Sequence, residues 1–290
     1  MKNSTLFQLG ICALAVYIIW FYALSKPDGK LHVALLDIGQ GDSIYIKTPH
    51  GEDALIDGGP NDAVIRELGH VMAPGDREIS LLVATHPDAD HIGGLISVLE
   101  RYSVREIWIN GAIHTSDTYL RLLKAIDDEK KSGATVKVVT RGDRTSWGAV
   151  TLLVLTPFES FEGKKPNEQN EGTIVARLSY NNFSVLLTGD LEFALEDRLV
   201  ANKSNIYPLA STVLKVGHHG SAGSTSEKFV DEVKPKMAVI SVGKKNRYGH
   251  PTKRVIDLLE KFKIPQYRTD STGRIDIESN GTVYQCYTCN

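Results

Sequence analysis

Residues 85 to 94 read Thr85-His86-Pro87-Asp88-Ala89-Asp90-His91-Ile92-Gly93-Gly94. Four side chains able to bind a metal, His86, Asp88, Asp90 and His91, fall within six positions. The run before them, Ser80 to Ala84, is short, apolar and strand-like. The run after them, Ile92 to Glu100, carries helical spacing. A tight strand-to-helix turn of this kind aims several short side chains at one point. A solvated acidic loop needs neither the flanking histidines nor a buried strand to deliver it.

Working outward, the same grammar recurs. Strands are predicted at His32 to Asp37, Ser43 to Lys47 and Ala54 to Asp57, with the turn Gly39-Gln40-Gly41-Asp42 making the first pair a hairpin. After the turn, Glu106 to Ile109, Thr135 to Thr140 and Val150 to Leu155 read as strands, and Asp117 to Lys131 as an amphipathic helix stopped by Gly133. Residues 158 to 172 form a polar loop. Ile174 to Tyr180 and Phe183 to Thr188 flank Asn181-Asn182 as a hairpin, and Gly189-Asp190 follows at a strand end. Thr212 to Val216 is a strand leading into Gly217-His218-His219-Gly220-Ser221. Further strands are read at Met237 to Val242, Gln266 to Thr269, Arg274 to Glu278 and Thr282 to Tyr287. Helices are read at Asp62 to Leu68, Leu191 to Val200, Ser226 to Val233 and Pro251 to Phe262. Hairpins followed by strand-helix alternation suggest an α/β architecture with two mixed sheets face to face and helices outside, an αββα sandwich.

Lys+Arg of 33 against Asp+Glu of 35 gives a net charge of -2, so global charge does not select a polyanionic partner. The three cysteines exclude a disulfide framework. Cys286 and Cys289 would lie about 10 Å apart on an extended strand, too far to bond unless the tail turns, and are read as plain terminal residues.

Residues 3 to 25 contain no charged side chain, and Leu6 to Leu24 is long enough to cross a bilayer. We read residues 1-30 as an N-terminal membrane anchor and linker. A cleaved signal peptide ending at Ala23-Leu24-Ser25 is the alternative, giving a secreted protein. The domain proper is residues 31-290. Lys2 on one side and Lys26 and Lys30 on the other do not orient the anchor.

Five strand ends carry the chemistry: Asp57, the His86 to His91 turn, Asn170-Glu171, Asp190, and His218-His219. Histidines and carboxylates without thiolates suit Mn²⁺, Zn²⁺, Mg²⁺ or Fe²⁺. So many candidates exceed the needs of one tetrahedral ion, and two divalent ions are the better reading. Plainer roles stand beside these. Asp57 before Gly58-Gly59 could cap a turn, Asp190 could cap the following helix, and Ser221 and Ser224 could cap the helix from Ser226. His219 has the weaker claim of its pair, because adjacent strand side chains point opposite ways.

The turn His86-Pro87-Asp88-Ala89-Asp90-His91 resembles the His-x-His-x-Asp-His signature of the metallo-β-lactamase superfamily, with Asp88 replacing the second histidine. That replacement is similar to the subgroup forming the C-terminal nuclease domain of ComEC-type DNA-uptake proteins. Leu36-Asp37-Ile38-Gly39-Gln40-Gly41-Asp42-Ser43, Leu55-Ile56-Asp57-Gly58-Gly59, Leu187-Thr188-Gly189-Asp190, Leu214-Lys215-Val216-Gly217-His218-His219-Gly220-Ser221 and Asn246-Arg247-Tyr248-Gly249-His250-Pro251 resemble its other blocks, in its order. The resemblance implies that His86 and Asp88 bind one ion and Asp90 and His91 the second. It further implies that Asp190 bridges, His218 completes the second site, and Asp57 orients the ligands from behind. Asn170 stands where many members carry histidine, so the first site recruits Glu171 or water, or is loose. Asp88 and Asn170 tilt the expected metal toward Mn²⁺, with Zn²⁺ next.

The resemblance implies hydroxide attack between two ions on a phosphodiester, with DNA, single-stranded first, as the substrate. Catalytic roles fall to Asp90, Asp190 and His250, and substrate contacts to Ser221, Lys244 and Arg247. Lys244, Lys245, Arg247, Lys253 and Arg254 form one local basic patch able to steer a phosphate backbone. The partners implied are DNA, the membrane, and a separate uptake channel, since one apolar span builds no channel. The catalytic domain is expected outside the cytoplasm. Hydrolysis of another ester (a cyclic nucleotide, phosphocholine or phospholipid, or a thioester) and an inactive nucleic-acid-binding module are the alternatives. No residue pattern reports an oligomeric state.

Overall fold

Alternation along the strands decides the layers. In β1 (Leu31–Leu35), Leu31, Val33 and Leu35 enter a core between two sheets, while Ala34 enters a second core beneath helices. A strand buried on both faces reads as a nearly continuous apolar run, and β10 (Phe183–Leu187), buried at all five positions, does the same in the other sheet. The computed structural model describes residues 26 to 289 except 167 and 169, together with residues 8 and 12. The membrane-anchor reading of residues 1-30 falls mostly outside the described residues. Among the described residues no helix is long and apolar enough to cross a membrane.

The first sheet takes β1, β2 (Ile44–Lys47), β3 (Asp53–Ile56), β4 (Glu78–Ala84), β5 (Ser103–Ile109) and β6 (Thr135–Val138), with β14 (Ile275–Ser279) and β15 (Tyr284–Cys286) added beside β1. The second takes β7 (Arg144–Trp147), β8 (Val150–Thr156), β9 (Val175–Tyr180), β10, β11 (Val213–Lys215), β12 (Met237–Ile240) and β13 (Gln266–Arg268). Helices α1 (Ala63–Val71), α2 (Ala89–Leu99) and α3 (Asp117–Lys131) cover the first sheet. Helices α4 (Phe193–Ala201), α5 (Glu227–Val233) and α6 (Lys253–Lys261) cover the second. This is the αββα sandwich expected from the sequence.

Each sheet changes from antiparallel to parallel pairing at one place. In the first, β2–β3 is antiparallel and β3–β4 parallel. In the second, β9–β10 is antiparallel and β10–β11 parallel. The chain leaves β3, β4, β10 and β11 through Asp57, the His86 to His91 turn, Asp190 and His218-His219 respectively. The ends of parallel strands at such changes are where layered α/β folds build sites.

Two close approaches fix the geometry. A Cβ on Gly94 would stand 2.0 Å from the Gly58 carbonyl oxygen, so α2 lies directly on the turn after Asp57. A Cβ on Gly41 would stand 1.9 Å from the Asp90 carbonyl oxygen, which brings the β1–β2 turn against the first turn of α2.

Two features differ from the sequence reading. Arg144 to Trp147 forms edge strand β7, whose polar side chains lack the apolar alternation that would reveal it; only Trp147 packs on the inner core. Cys286 and Cys289 form a disulfide, with Cα atoms 5.4 Å apart. The tail turns back across β14, where Tyr287 N donates to Asp276 O and Asp276 N to Thr288 Oγ1. The turn supplies the approach that an extended tail lacks.

Candidate metal centre

Asp57 sits just past β3 with a left-handed φ of 58°, an unusual conformation for a residue with a side chain. Its carboxylate accepts from Thr85 N at 2.9 Å, Thr85 Oγ1 at 2.6 Å and His91 Nδ1 at 2.7 Å. Asp57 is therefore a clamp on the end of β4 and on a histidine, rather than a cap of its own turn.

Four histidines share one arrangement. Each commits Nδ1 to an acceptor: His86 to Thr85 Oγ1 at 2.9 Å, whose own proton goes to Asp57; His91 to Asp57; His218 to Glu192 Oε1 at 3.0 Å; His219 to the Ser241 carbonyl at 2.9 Å. With Nδ1 carrying the proton, the neutral ring offers its Nε2 lone pair. A polar group behind each ring that sets the tautomer is the usual support of metal-binding histidines.

Those Nε2 atoms converge on Asp190, which is 2% exposed. Asp190 Oδ1 lies 3.1 Å from His91 Nε2 and 3.5 Å from His219 Nε2, and the latter is 3.6 Å from Asp90 Oδ2. Asp190 Oδ2 lies 3.4 Å from His218 Nε2 and 3.9 Å from His86 Nε2, and the latter is 3.6 Å from Asp88 Oδ2. The two carboxylate oxygens thus face two donor sets. Helix α4 has Glu192 as its N-cap residue, so Asp190 is not its cap.

The pairing corrects one expectation. His219, not His218, gathers with Asp90 and His91; His218 lies beside the Asp190 oxygen that faces His86. The cause is backbone shape. His218 (φ 46°, ψ 47°) and His219 (φ 53°, ψ 20°) are both left-handed, in a tight turn from Gly217 to Gly220. Opposite pointing applies to an extended strand, and this segment is not one.

Sequence reasoning missed two residues beneath the site. Asp42 and Lys215 are both fully buried and ion-paired. Lys215 Nζ also donates to Gly189 O at 3.0 Å, and Asp42 Oδ1 lies 3.4 Å from His219 Nδ1. The pair thus braces both the Asp190 turn and the His219 ring.

The chain matches the family described as Metallo-beta-lactamase superfamily over residues 36–244, well over half of its length. This protein belongs to the metallo-β-lactamase superfamily. It is 34% identical over 284 residues to ComE operon protein 3 of Bacillus subtilis, covering 92% of this chain and 35% of that protein. It is 29% identical over 255 residues to competence protein ComA of Neisseria gonorrhoeae, covering 86% and 32%. The chain spans about a third of the length of these relatives. Among solved structures, Igni18, a metallo hydrolase from Ignicoccus hospitalis, aligns with a TM-score of 0.53 at 13% identity, covering 84% of this chain and 98% of that one. The protein is accordingly a metallo-hydrolase related to competence proteins.

The superfamily fold implies divalent ions, and the residues here fit them. Nε2 of His86, His91 and His219, and Asp190 Oδ1, are buried and make no hydrogen bond. Two ligands about 2.0–2.1 Å from one tetrahedral ion stand about 3.3 Å apart, close to the spacings above. The charge balance asks for cations as well. Burial opposes a charge on His91 and His219, yet the carboxylates prevail: Asp190 and Asp57 hold His91 well above the ordinary imidazole range, and Asp190 and Asp42 push His219 up to about 9. Burial likewise opposes the charge on Asp190, and His91 and His219 hold its carboxyl well below the usual range.

The remaining candidates divide. Asn170 is buried; its Nδ2 contacts Glu192 at 3.4 Å and its Oδ1 has no partner, so it stands by the His218 side of the superfamily site. Glu171 is half-buried, and no donor set above includes it. Glu192, which supports His218, carried no sequence signal. His250 packs edge-on against His218, with ring centroids 5.8 Å apart. Burial, then the His218 and His219 rings, lower its pKa, so it is neutral near pH 7. Ser221 Oγ accepts from Gly223 N, and Ser224 Oγ donates to Gly217 O, so both stabilise the loop. Ser226 is the cap of α5. Lys244 and Arg247 are exposed on the loop before His250. Lys245 of the expected basic patch is exposed there too, whereas Lys253 pairs with Asp257 and Arg254 donates to Thr225 O at 3.1 Å.

Proposed function

We propose that this protein is a divalent-metal-dependent phosphodiesterase acting on DNA, single strands in particular, and tethered to the membrane through residues 1-30 with its catalytic domain outside the cytoplasm. The observation that carries the reading is Asp190, whose two oxygens face two separate sets of donors. One ion would be held by His86, Asp88, His218 and Asp190. The other would be held by Asp90, His91, His219 and Asp190. Ions bound there supply Lewis acidity and make water nucleophilic at neutral pH. Asp88 and the neighbouring Asn170 harden the first set, which favours Mn²⁺ over Zn²⁺.

The chain's own residues do the rest. Asp57 and the Ser241 carbonyl hold His91 and His219 in register. His250, neutral near pH 7, donates a ring N–H hydrogen bond to the phosphate or leaving oxygen, and the proton that oxygen takes up comes from water. Lys244 and Arg247 attract the phosphate backbone without reading sequence. Relatives named for competence support DNA as the substrate.

The test is hydrolysis of plasmid DNA, single-stranded DNA and bis-p-nitrophenyl phosphate by metal-free protein reconstituted with Mn²⁺ or Zn²⁺. Turnover of the small diester with DNA left intact would sink the nuclease reading. Less than one bound ion per chain after reconstitution would favour an inactive binding module. A topology reporter fused after Asn290 tests the outward orientation.

A further inference from the structure

A ladder of rings runs outward from the metal centre. His218 Nε2 is 3.4 Å from Asp190. The His250 ring stands edge-on to His218, with centroids 5.8 Å apart. The Tyr248 ring stacks on His250, centroids 5.7 Å apart and planes 19° from parallel. Tyr248 nevertheless remains 54% exposed, so its contact with His250 orients the ring without hiding it.

The loop that carries Tyr248 is closed on itself. Asn246 Nδ2 donates to Gly243 O at 3.0 Å and to His250 O at 2.8 Å, and Asn246 Oδ1 accepts from His250 N at 3.0 Å. The loop's root presses on the turn beside Asp42, where a Cβ on Gly243 would stand 2.7 Å from Gln40 N. A ring ordered before binding loses little freedom when a ligand covers it. Exposed Lys244, Lys245 and Arg247 share the loop; the Arg247 guanidinium lies over the Tyr248 ring, 5.3 Å from its centroid and 3.3 Å from the hydroxyl, so a base that stacks there takes its place and leaves it to the backbone. An ordered aromatic face flanked by backbone-seeking cations is the chemistry that holds single-stranded nucleic acid.

We propose that Tyr248 is a stacking platform for an unpaired nucleobase flanking the scissile phosphate, with Arg247 on the adjoining backbone. This rests on the DNA reading above and adds what selects single strands. In a duplex, base faces are covered by their neighbours, and the ladder offers a face only to a base that has left the stack. A phosphodiester without a base gains nothing from the ring.

The test compares the intact chain, loaded with Mn²⁺, on two short single strands with the same sugar-phosphate backbone. One is an oligothymidylate, and the other carries abasic sites on both sides of one linkage. The wild type is expected to prefer the base-bearing strand in kcat/KM by about ten-fold, a change within reach of one base-aromatic stack. Tyr248→Ala should bring that ratio close to one, while Tyr248→Phe and Tyr248→Trp should keep it. Equal wild-type cleavage of the two strands, or an unchanged ratio in Tyr248→Ala, overturns the platform while the nuclease reading stands. Hydrolysis of bis-p-nitrophenyl phosphate with both strands intact overturns both. Should Tyr248→Ala fail to fold, the wild-type ratio and the Tyr248→Trp variant decide.

Discussion

Asp57 Oδ2 accepts from His91 Nδ1 at 2.7 Å, and the same carboxylate holds both the amide and the hydroxyl of Thr85. One buried acid therefore fixes the end of β4, the tautomer of His91 and, through Thr85, the tautomer of His86. Asp57→Asn keeps the shape but removes the charge and one acceptor. Metal affinity is expected to fall about 10- to 100-fold, the usual effect of losing a group that orients a ligand. Titration against a competing chelator measures this, and wild-type affinity would show that Asp57 only caps its turn. Asp57→Ala also strands the Thr85 amide, at a cost of about 1–3 kcal/mol in urea unfolding.

His218 and His219 are adjacent but differently placed, and alanine should separate them. His219 is 1% exposed and bonded to the Ser241 carbonyl, whereas the His218 side chain is 27% exposed. His219→Ala is expected to lower the melting temperature of the metal-free protein clearly, and His218→Ala much less. Both should lose at least ten-fold in turnover and bind one Mn²⁺ in place of two, which metal analysis and electron paramagnetic resonance report. Two ions retained in His219→Ala would remove it from the donor set.

Asp42 and Lys215 form a buried pair that touches the site from below. Removing one partner leaves an uncompensated charge, which costs about 3–5 kcal/mol. Lys215→Met should be destabilised by that amount in urea unfolding, and the double change Asp42→Asn with Lys215→Met should recover much of it. Burial opposes the Asp42 charge, but Lys215 and His219 hold its folded pKa well below the ordinary value. A depressed carboxyl contributes fully above its unfolded pKa of about 3.9 and loses the contribution only as pH falls through the folded value. The gap between wild type and Asp42→Asn should therefore not shrink as pH falls from about 7 to about 5, and it widens where His219, which Asp42 helps to hold protonated, titrates in the variant. A gap that closes in that window contradicts the pair as described.

The sandwich was legible because buried strands write themselves as apolar runs, and the main candidate ligands because His and Asp crowd at strand ends next to glycine. What escaped notice depends on shape that local pattern does not encode. Asp42 reads as a turn residue in Gly39-Gln40-Gly41-Asp42, and Lys215 as the polar end of β11. Only the packing of one sheet on the other brings them together. The choice between His218 and His219 turns on two left-handed residues in succession, which the flanking glycines hint at without specifying. The pairing of Cys286 with Cys289 needed the tail to fold back on Asp276, a long-range event.

Lys244 and Arg247 are exposed beside the ring ladder; Lys253, in the same stretch of sequence, is exposed as well, but its charge is paired with Asp257 at 2.6 Å. Proximity in sequence and availability to a phosphate are thus different properties, and salt dependence distinguishes them. Each backbone contact to a single strand adds about 0.7 to the slope of log affinity against log salt. Lys244→Ala and Arg247→Ala should each weaken binding of single-stranded DNA about equally across sequences and reduce the slope by about that amount. Lys253→Ala should leave both unchanged. Fluorescence anisotropy of a labelled oligonucleotide across a salt series measures the slopes. A loss in Lys253→Ala equal to that in Arg247→Ala would mean that diffuse charge, and not the loop before His250, guides the strand to the metals.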